Sequence, residues 1–411
     1  MKPDAMELEV GIATLGARGD GVADGPDGPI YVPFTLPGEK VTIALEEGED
    51  RAALLEVIKP SPDRVAPVCR YFGTCGGCAL QHMEREAYLG WKREQVVAAL
   101  QARGLFAEVE VVRPVPLASR RRAALALGRT KQGVALGYRR ARSHDLIDVA
   151  ACPVLTPRIS DSLPKLKAAL APLLGGKREA RVSVTGTLNG LDIVLEGARP
   201  SPASLGAFAG KAGAIGAARL TTDGDSLVLA GTPEVDLSGA RAKLPPGAFL
   251  QASHDAEAEL VELVLEGVGT AKSVADLFAG LGTFTLAVAR SSAVAAYEAD
   301  EVVLVALAEA APKLKPIKTV ARDLFRSPLG LKELQGFDAV VFDPPRAGAA
   351  AQAEALSKSR VRTLVAVSCN PGTLARDLRI LVDGGYRIAR IVPVDQFLFS
   401  PHIEVVAHLV R

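Results

Sequence analysis

Apolar residues fall into two textures along the chain. From residue 245 onward they come in short unbroken runs, at 273–278, 293–298, 319–321, 339–342 and 363–367, separated by stretches with helical spacing such as 255–266. Runs that are apolar at every position belong inside a parallel sheet covered by helices on both faces. Two last runs, 388–394 and 403–410, predict an antiparallel pair at one edge. The pattern predicts a doubly wound α/β domain over 245–411.

Upstream the runs are shorter and turns are frequent. Strand-like segments at 8–14, 30–34, 40–45 and 52–58, with glycine turns at 16–21 and 25–28, predict a small β-barrel over 1–60. Barrels of this size often bind oligonucleotides. Residues 61–244 form a third, β-rich region with a glycine-rich loop, a helix at 84–103 closed by Gly104, and one further helix at 158–174. The helix at 84–103 is free to pack on the last domain.

Composition narrows the function. Lys plus Arg total 48 against 47 Asp plus Glu, which excludes a uniformly basic nucleic-acid coat. No run approaches a membrane span, and the acidic start does not read as a signal peptide, so a cytoplasmic protein is expected. One window departs from this balance. Between Arg113 and Arg142 stand nine basic residues and no acid, including Arg120, Arg121, Arg122, Lys131, Arg139, Arg140 and Arg142. Such a stripe suits RNA phosphates.

Chemistry concentrates in three segments. Asp276-Leu-Phe-Ala-Gly-Leu-Gly-Thr-Phe284 follows the first strong strand and opens a helix. Gly280 and Gly282 let the backbone approach a ligand, and Glu298 ends the next strand, where a carboxylate can accept both hydrogen bonds of a ribose diol. The third glycine of the dinucleotide fingerprint is missing, and the pattern resembles S-adenosylmethionine (SAM) methyltransferases. Asp323 sits where an acid commonly meets the adenine amino group.

Asp343-Pro-Pro-Arg-Ala-Gly348 ends the fourth strand, with Arg346 where amine methyltransferases carry an aromatic residue. Cys369, in Val367-Ser-Cys-Asn-Pro, ends the next strand ahead of a helix whose amides would favour a thiolate. Carbon 5 of uracil is a poor nucleophile. A thiolate adding to carbon 6 makes it an enolate that can take a methyl group, after which a base must remove the carbon 5 proton. Glu404 is the expected base and His402, two positions away on one strand face, a positioning group.

The remaining cysteines, Cys69, Cys75, Cys78 and Cys152, have the spacing C-x5-C-x2-C plus a distant, proline-flanked member. This suits an iron–sulfur cluster of the [4Fe–4S] kind better than the paired knuckles of zinc.

Together these motifs resemble the bacterial RNA 5-methyluridine methyltransferase family, in its iron–sulfur branch acting on 23S ribosomal RNA, over nearly the whole chain. The resemblance implies a TRAM domain at the N-terminus and Cys69, Cys75, Cys78 and Cys152 as cluster ligands. It implies SAM contacts from Gln251, Phe278, Thr283, Glu298, Asp323 and Asp343, a nucleophile at Cys369 and a proton-abstracting base at Glu404. RNA is the implied partner, with tRNA the alternative to ribosomal RNA and a non-catalytic RNA-binding or redox-sensing protein the alternative in another class. A monomer is expected. Ser253, Thr283, Ala366, Leu398 and Phe399 depart from the family pattern, which bears on the choice of uridine.

Overall fold

In the computed structural model, which describes residues 5–311 and 315–411, the fully apolar runs lie side by side. The sheet is ordered Ile317–Ala321, Ala293–Glu298, Ser273–Leu277, Ala339–Phe342, Thr363–Ser368, Glu404–Val410, Arg387–Val394. The first five strands are parallel. The last two run antiparallel and close one edge.

Both faces of this sheet are buried, which explains its unbroken apolar runs. In Thr363–Ser368, Leu364 and Ala366 face one core while Val365 and Val367 face the other. Each fully buried leucine or valine here stabilises the fold by roughly 1.5–3 kcal/mol. The first core takes Val96 and Leu100 from helix Arg85–Gln101, with Leu374 and Leu378 from helix Pro371–Asp383. The helix near residue 90 therefore packs on the C-terminal sheet, as Leu105 and Val109 just after it do. Leu260 and Val264 of helix His254–Val268 cover the opposite face. Ser253, whose hydroxyl accepts from the Ala256 amide at 3.4 Å, caps that helix.

The central region carries a second seven-stranded sheet, ordered Asp225–Val228, Ala217–Thr222, Gly190–Glu196, Glu179–Thr187, Arg122–Thr130, Gly133–Arg139, Leu146–Asp148. The single helix expected over 158–174 is broken into Pro157–Ser160, Leu163–Leu170 and a 3-10 turn at Ala171–Leu174. Pro164 and Pro172 lack the amide hydrogens that a continuous helix would need. Two short helices that the sequence did not suggest, Pro202–Ala209 and Ala212–Ile215, lie over the same core. The hairpin Glu234–Leu237 and Ala240–Lys243 packs elsewhere: Val235, Leu237 and Ala242 meet Ala279, Leu281 and Leu286 beside the glycine loop.

The N-terminal sheet has five antiparallel strands, ordered Gly28–Val32, Gly21–Gly25, Ala5–Leu15, Lys40–Glu46, Ala52–Lys59. A bridge between Tyr31 and Arg51 brings its edges together. Gly21–Gly25, which lies between the two expected glycine turns, is a further strand that the sequence did not suggest.

Candidate active site

Parallel strands deliver their carboxyl ends to one rim, where open α/β sheets bind ligands. Here that rim collects Phe278, Glu298, Asp323, Asp343 and Cys369, each at or just past the end of its strand. At Gly282, φ is +95° and an added Cβ would lie 2.3 Å from Leu307 Cδ1, so only glycine fits. At Gly280, φ is +53° and an added Cβ would meet no protein atom within 4 Å, which leaves the space above that backbone open to a ligand. Thr283 opens the short helix Thr283–Val288 beside them.

Acidic groups line the rim. Glu298 accepts from the Gly280 amide at 3.0 Å and from the Ala299 and Asp300 amides at 2.6 and 3.1 Å, so its carboxylate is fixed before any ligand arrives. Asp323 accepts from the Phe325 and Arg326 amides at 3.0 and 3.3 Å. Phe325, which the sequence reading passed over, sets its half-exposed ring 5.4 Å from that of Phe278. Beneath the loop, burial pushes Asp276 up to about 7 although Thr285 donates to it at 2.5 Å.

Cys369 is half-buried, and burial pushes its thiol up to about 11, with the Glu404 and Asp343 charges adding to the shift and the Arg346 guanidinium, hydrogen-bonded to it, opposing. The expected help from the helix amides is absent. Asn370 caps helix Pro371–Asp383 and takes the Gly372 and Thr373 amides itself, at 3.0 and 3.4 Å. Arg346 is held in place through its carbonyl, which accepts from Asn370 Nδ2 at 3.1 Å and Thr373 Oγ1 at 3.2 Å.

Glu404 begins its strand and is 3% exposed. Burial, then the neighbouring Asp343, holds its carboxyl well above the usual range. His402 does not share its face. The strand starts at Glu404, His402 lies before it and is exposed, and its ring packs 6.1 Å from Phe397. Pro401 precedes it and cannot donate to a ladder.

Gln251 donates to Asp343 Oδ2 at 3.1 Å and accepts from Gln396 at 2.8 Å. The segment from 395 to 402 is anchored by a second missed group. Lys92, fully buried, pairs with Asp395 and donates to the Phe397 and His402 carbonyls at 3.1 and 2.7 Å, while the Tyr88 hydroxyl donates to Asp395 at 3.0 Å. Lysines at helical spacing usually face water, so nothing in the sequence singled this one out.

The other four cysteines, none of them in a disulfide, line one cavity of about 230 Å³ with aromatic and aliphatic neighbours. Burial pushes Cys78 up to about 12, and Cys75 and Cys152 rise for the same reason. Among the described residues no three His, Cys, Asp or Glu side chains converge tightly enough to hold a single metal ion. A cubane spreads its ligands over four irons, so the cavity and its all-thiol donor set fit that group better than one ion.

The basic window is less uniform than its sequence. Arg121 is 8% exposed, paired with Glu257 and donating to the Gln251 carbonyl at 3.1 Å, so it is not a phosphate contact. Arg122 donates to the Leu250 carbonyl at 2.9 Å and lies 5.3 Å over the exposed ring of Phe249. Arg120 reaches the thiol cavity. Lys131 is exposed on a hairpin turn. Arg139, Arg140 and Arg142 are exposed, pair with Glu179, Asp145 and Asp20, and line a groove of about 590 Å³ with Gly76 and Gly77 of the cysteine loop.

The fold and this rim define a methyltransferase. Residues 234–411 match the model of the tRNA (uracil-5-)-methyltransferase family. An RNA methyltransferase of Brucella suis is 46% identical over 407 residues, 98% of each chain. The 23S rRNA (uracil(1939)-C(5))-methyltransferase RlmD of Chromohalobacter salexigens is 34% identical, covering 100% of this chain and 90% of that one. Among solved structures, the Pyrococcus abyssi tRNA (uracil-54, C5)-methyltransferase with S-adenosyl-L-homocysteine superposes with a TM-score of 0.74 at 24% identity, over 98% of this chain and 100% of that chain. The chain belongs to the RNA (uracil-5-)-methyltransferase family. Among the described residues no helix is long and apolar enough to cross a membrane.

Proposed function

We propose that the chain methylates carbon 5 of one uridine in 23S ribosomal RNA through a covalent bond between Cys369 and carbon 6. The observation that carries this reading is the convergence of a thiol, a guanidinium and a buried carboxyl, Cys369, Arg346 and Glu404, at the rim beside the glycine loop. The full-length likeness to the C. salexigens enzyme favours ribosomal RNA. The name of the matching family model keeps tRNA as the second reading.

SAM supplies an electrophilic methyl group. Gln251, Phe278, Gly280, Gly282, Thr283, Glu298, Asp323 and Asp343 are the residues that would hold it, and the open space over Gly280 fits a ligand there. Arg346 stabilises the Cys369 thiolate as it adds to carbon 6, which places an electron pair at carbon 5 to take the methyl group. Glu404 then accepts the carbon 5 proton, and those electrons expel the thiolate from carbon 6. Burial suits Glu404 to this task, because a carboxylate with a raised pKa is a stronger base.

Cys69, Cys75, Cys78 and Cys152 would hold a [4Fe–4S] cluster that ties the loop at 69–78 to the central sheet, and no step of the reaction runs through it. The N-terminal barrel serves as a TRAM-like RNA-binding unit, and Arg139, Arg140, Arg142 and Lys131 contact phosphates.

Methyl transfer from labelled SAM to transcripts of 23S rRNA fragments and of tRNA tests the reading. Transfer to one ribosomal uridine, lost in Cys369→Ala and stalled as a covalent RNA adduct in Glu404→Gln, is the expected result. Transfer that survives Cys369→Ala would overturn it, and transfer confined to tRNA would replace the substrate.

A further inference from the structure

The side chain of Gln396 touches three groups from two other parts of the chain. Its Oε1 accepts from the Ala252 backbone amide at 2.7 Å. Its Nε2 donates to Gln251 Oε1 at 2.8 Å and to Glu404 Oε2 at 2.9 Å. Gln251 in turn donates through Nε2 to Asp343 Oδ2 at 3.1 Å. The result is an unbroken line from Asp343 to Glu404 through two amides, and Gln251, Gln396 and Glu404 are all at most 3% exposed.

The polarity of this line is set by one group that cannot turn round. A backbone N–H only donates, so Ala252 requires oxygen from Gln396 and leaves both amide hydrogens for the other side. One of them requires an acceptor from Gln251, which therefore directs its own NH2 at Asp343. Each carboxyl thus meets a donor with no proton to exchange. An amide N–H in that position favours the carboxylate over the acid, because its hydrogen bond to an ionised oxygen is stronger than to the oxygen of a neutral acid.

We propose that Gln396 is a positioning residue for the base: it fixes Glu404 in its unprotonated orientation and links that orientation to the Gln251–Asp343 pair on the cofactor side. The proposal rests on the reading of Glu404 as the proton acceptor. Other groups that bear on Glu404 are Asp343, which opposes its ionisation, and Arg346, which favours it; Cys369 is coupled to all three through charge. Gln396 is the uncharged member that counters burial.

Two variants separate this role from packing. Gln396→Met keeps the length and removes both hydrogens. Gln396→Glu keeps the shape and the Ala252 contact but turns an oxygen toward Glu404. The Glu404 carboxyl stretch, assigned by its disappearance in Glu404→Gln, is titrated by infrared difference spectroscopy in the SAM-free protein. In Gln396→Met the midpoint is expected to rise by about one pH unit, a tenfold shift in the ionisation constant, and in Gln396→Glu by more. The acid limb of the single-turnover methylation profile moves up in step. An unshifted carboxyl in folded variants would overturn the proposal, as would a turnover loss equal at every pH. If Gln396→Met fails to fold, Gln396→Glu alone decides. A parent chain that methylates no RNA would defeat the proposed function, and the infrared titration would still judge the amide line.

Discussion

Two buried sites in this protein hold groups whose charge is unwelcome, and they do so in opposite ways. The cavity at Cys69, Cys75, Cys78 and Cys152 is built from one donor type in apolar surroundings. Burial is the first cause of the raised thiols at Cys75, Cys78 and Cys152; hydrogen bonds from Gln81 at Cys78 and from backbone amides at Cys75 and Cys152 oppose it, and the neighbouring sulfurs add to it. The rim at Asp343, Cys369 and Glu404 is wired instead with amides and a guanidinium that offset burial residue by residue. The first arrangement is stable only with protonated thiols or with a partner that takes four thiolates at once. The second sets a hydrogen-bond donor or a cation beside each group whose charge burial disfavours, an arrangement that clusters where protons are exchanged.

One strap serves both. The Phe399 carbonyl accepts from the Ala79 and Leu80 amides at 2.8 and 3.1 Å, and its amide donates to the Tyr88 hydroxyl at 2.8 Å. Leu398 and Ser400 line the thiol cavity, while Glu404 follows a few residues on. The largest expected effect therefore comes from the anchor of this strap. Lys92→Met leaves Asp395 buried without its cation, and one Asp395 oxygen already has no partner. Removing one member of a buried pair costs about 3–5 kcal/mol, so chemical denaturation should show a loss of that order with both sites impaired. A stable variant with one site intact would show that the two regions are independent.

A smaller effect should divide the regions. Cys78→Ala is expected to lose bound iron and its brown colour, and to lose on the order of 2 kcal/mol, or roughly 4–8 °C in melting temperature. The same substitution at Cys369, a half-buried position at a strand end, should retain iron and melt within about a degree of the parent. Iron analysis and calorimetry on the pair decide the matter. Equal losses would mean that the thiols are not as differently employed as their surroundings suggest.

The frame of the C-terminal sheet was legible because a strand buried on both faces has an apolar run unbroken by polar positions, and the run 364–367 reads that way directly. The strand ends followed, since Asp343, Cys369 and Glu298 each close such a run. What failed depended on contacts made across the chain. Arg121 belongs to a basic run in sequence, but Glu257 meets it from 136 residues away. Gln396 and Lys92 are ordinary polar residues until the fold delivers Ala252 and Asp395 to them. Two errors were avoidable. Asn370-Pro371 is itself a helix-start signal, so the amides near Cys369 could have been assigned to Asn370. Pro401 likewise argued against a strand through His402.

That reassignment leaves Arg346 as the cation that favours the Cys369 thiolate, and it sharpens the contrast with the cavity thiols. The guanidinium is hydrogen-bonded to the sulfur and opposes the burial that, on balance, holds this thiol at about 11. Without it the thiol should rise by about one further unit. At pH 8 the thiolate then becomes tenfold scarcer, while its greater basicity restores part of the reactivity. Arg346→Met should therefore alkylate with iodoacetamide about three- to fivefold more slowly at Cys369, read peptide by peptide by mass spectrometry. The rates at Cys75 and Cys78, which Arg346 does not reach, should stay where they were. Slowing at all of these cysteines would point to a general change in structure, and no slowing at Cys369 would leave its thiolate without a local cation.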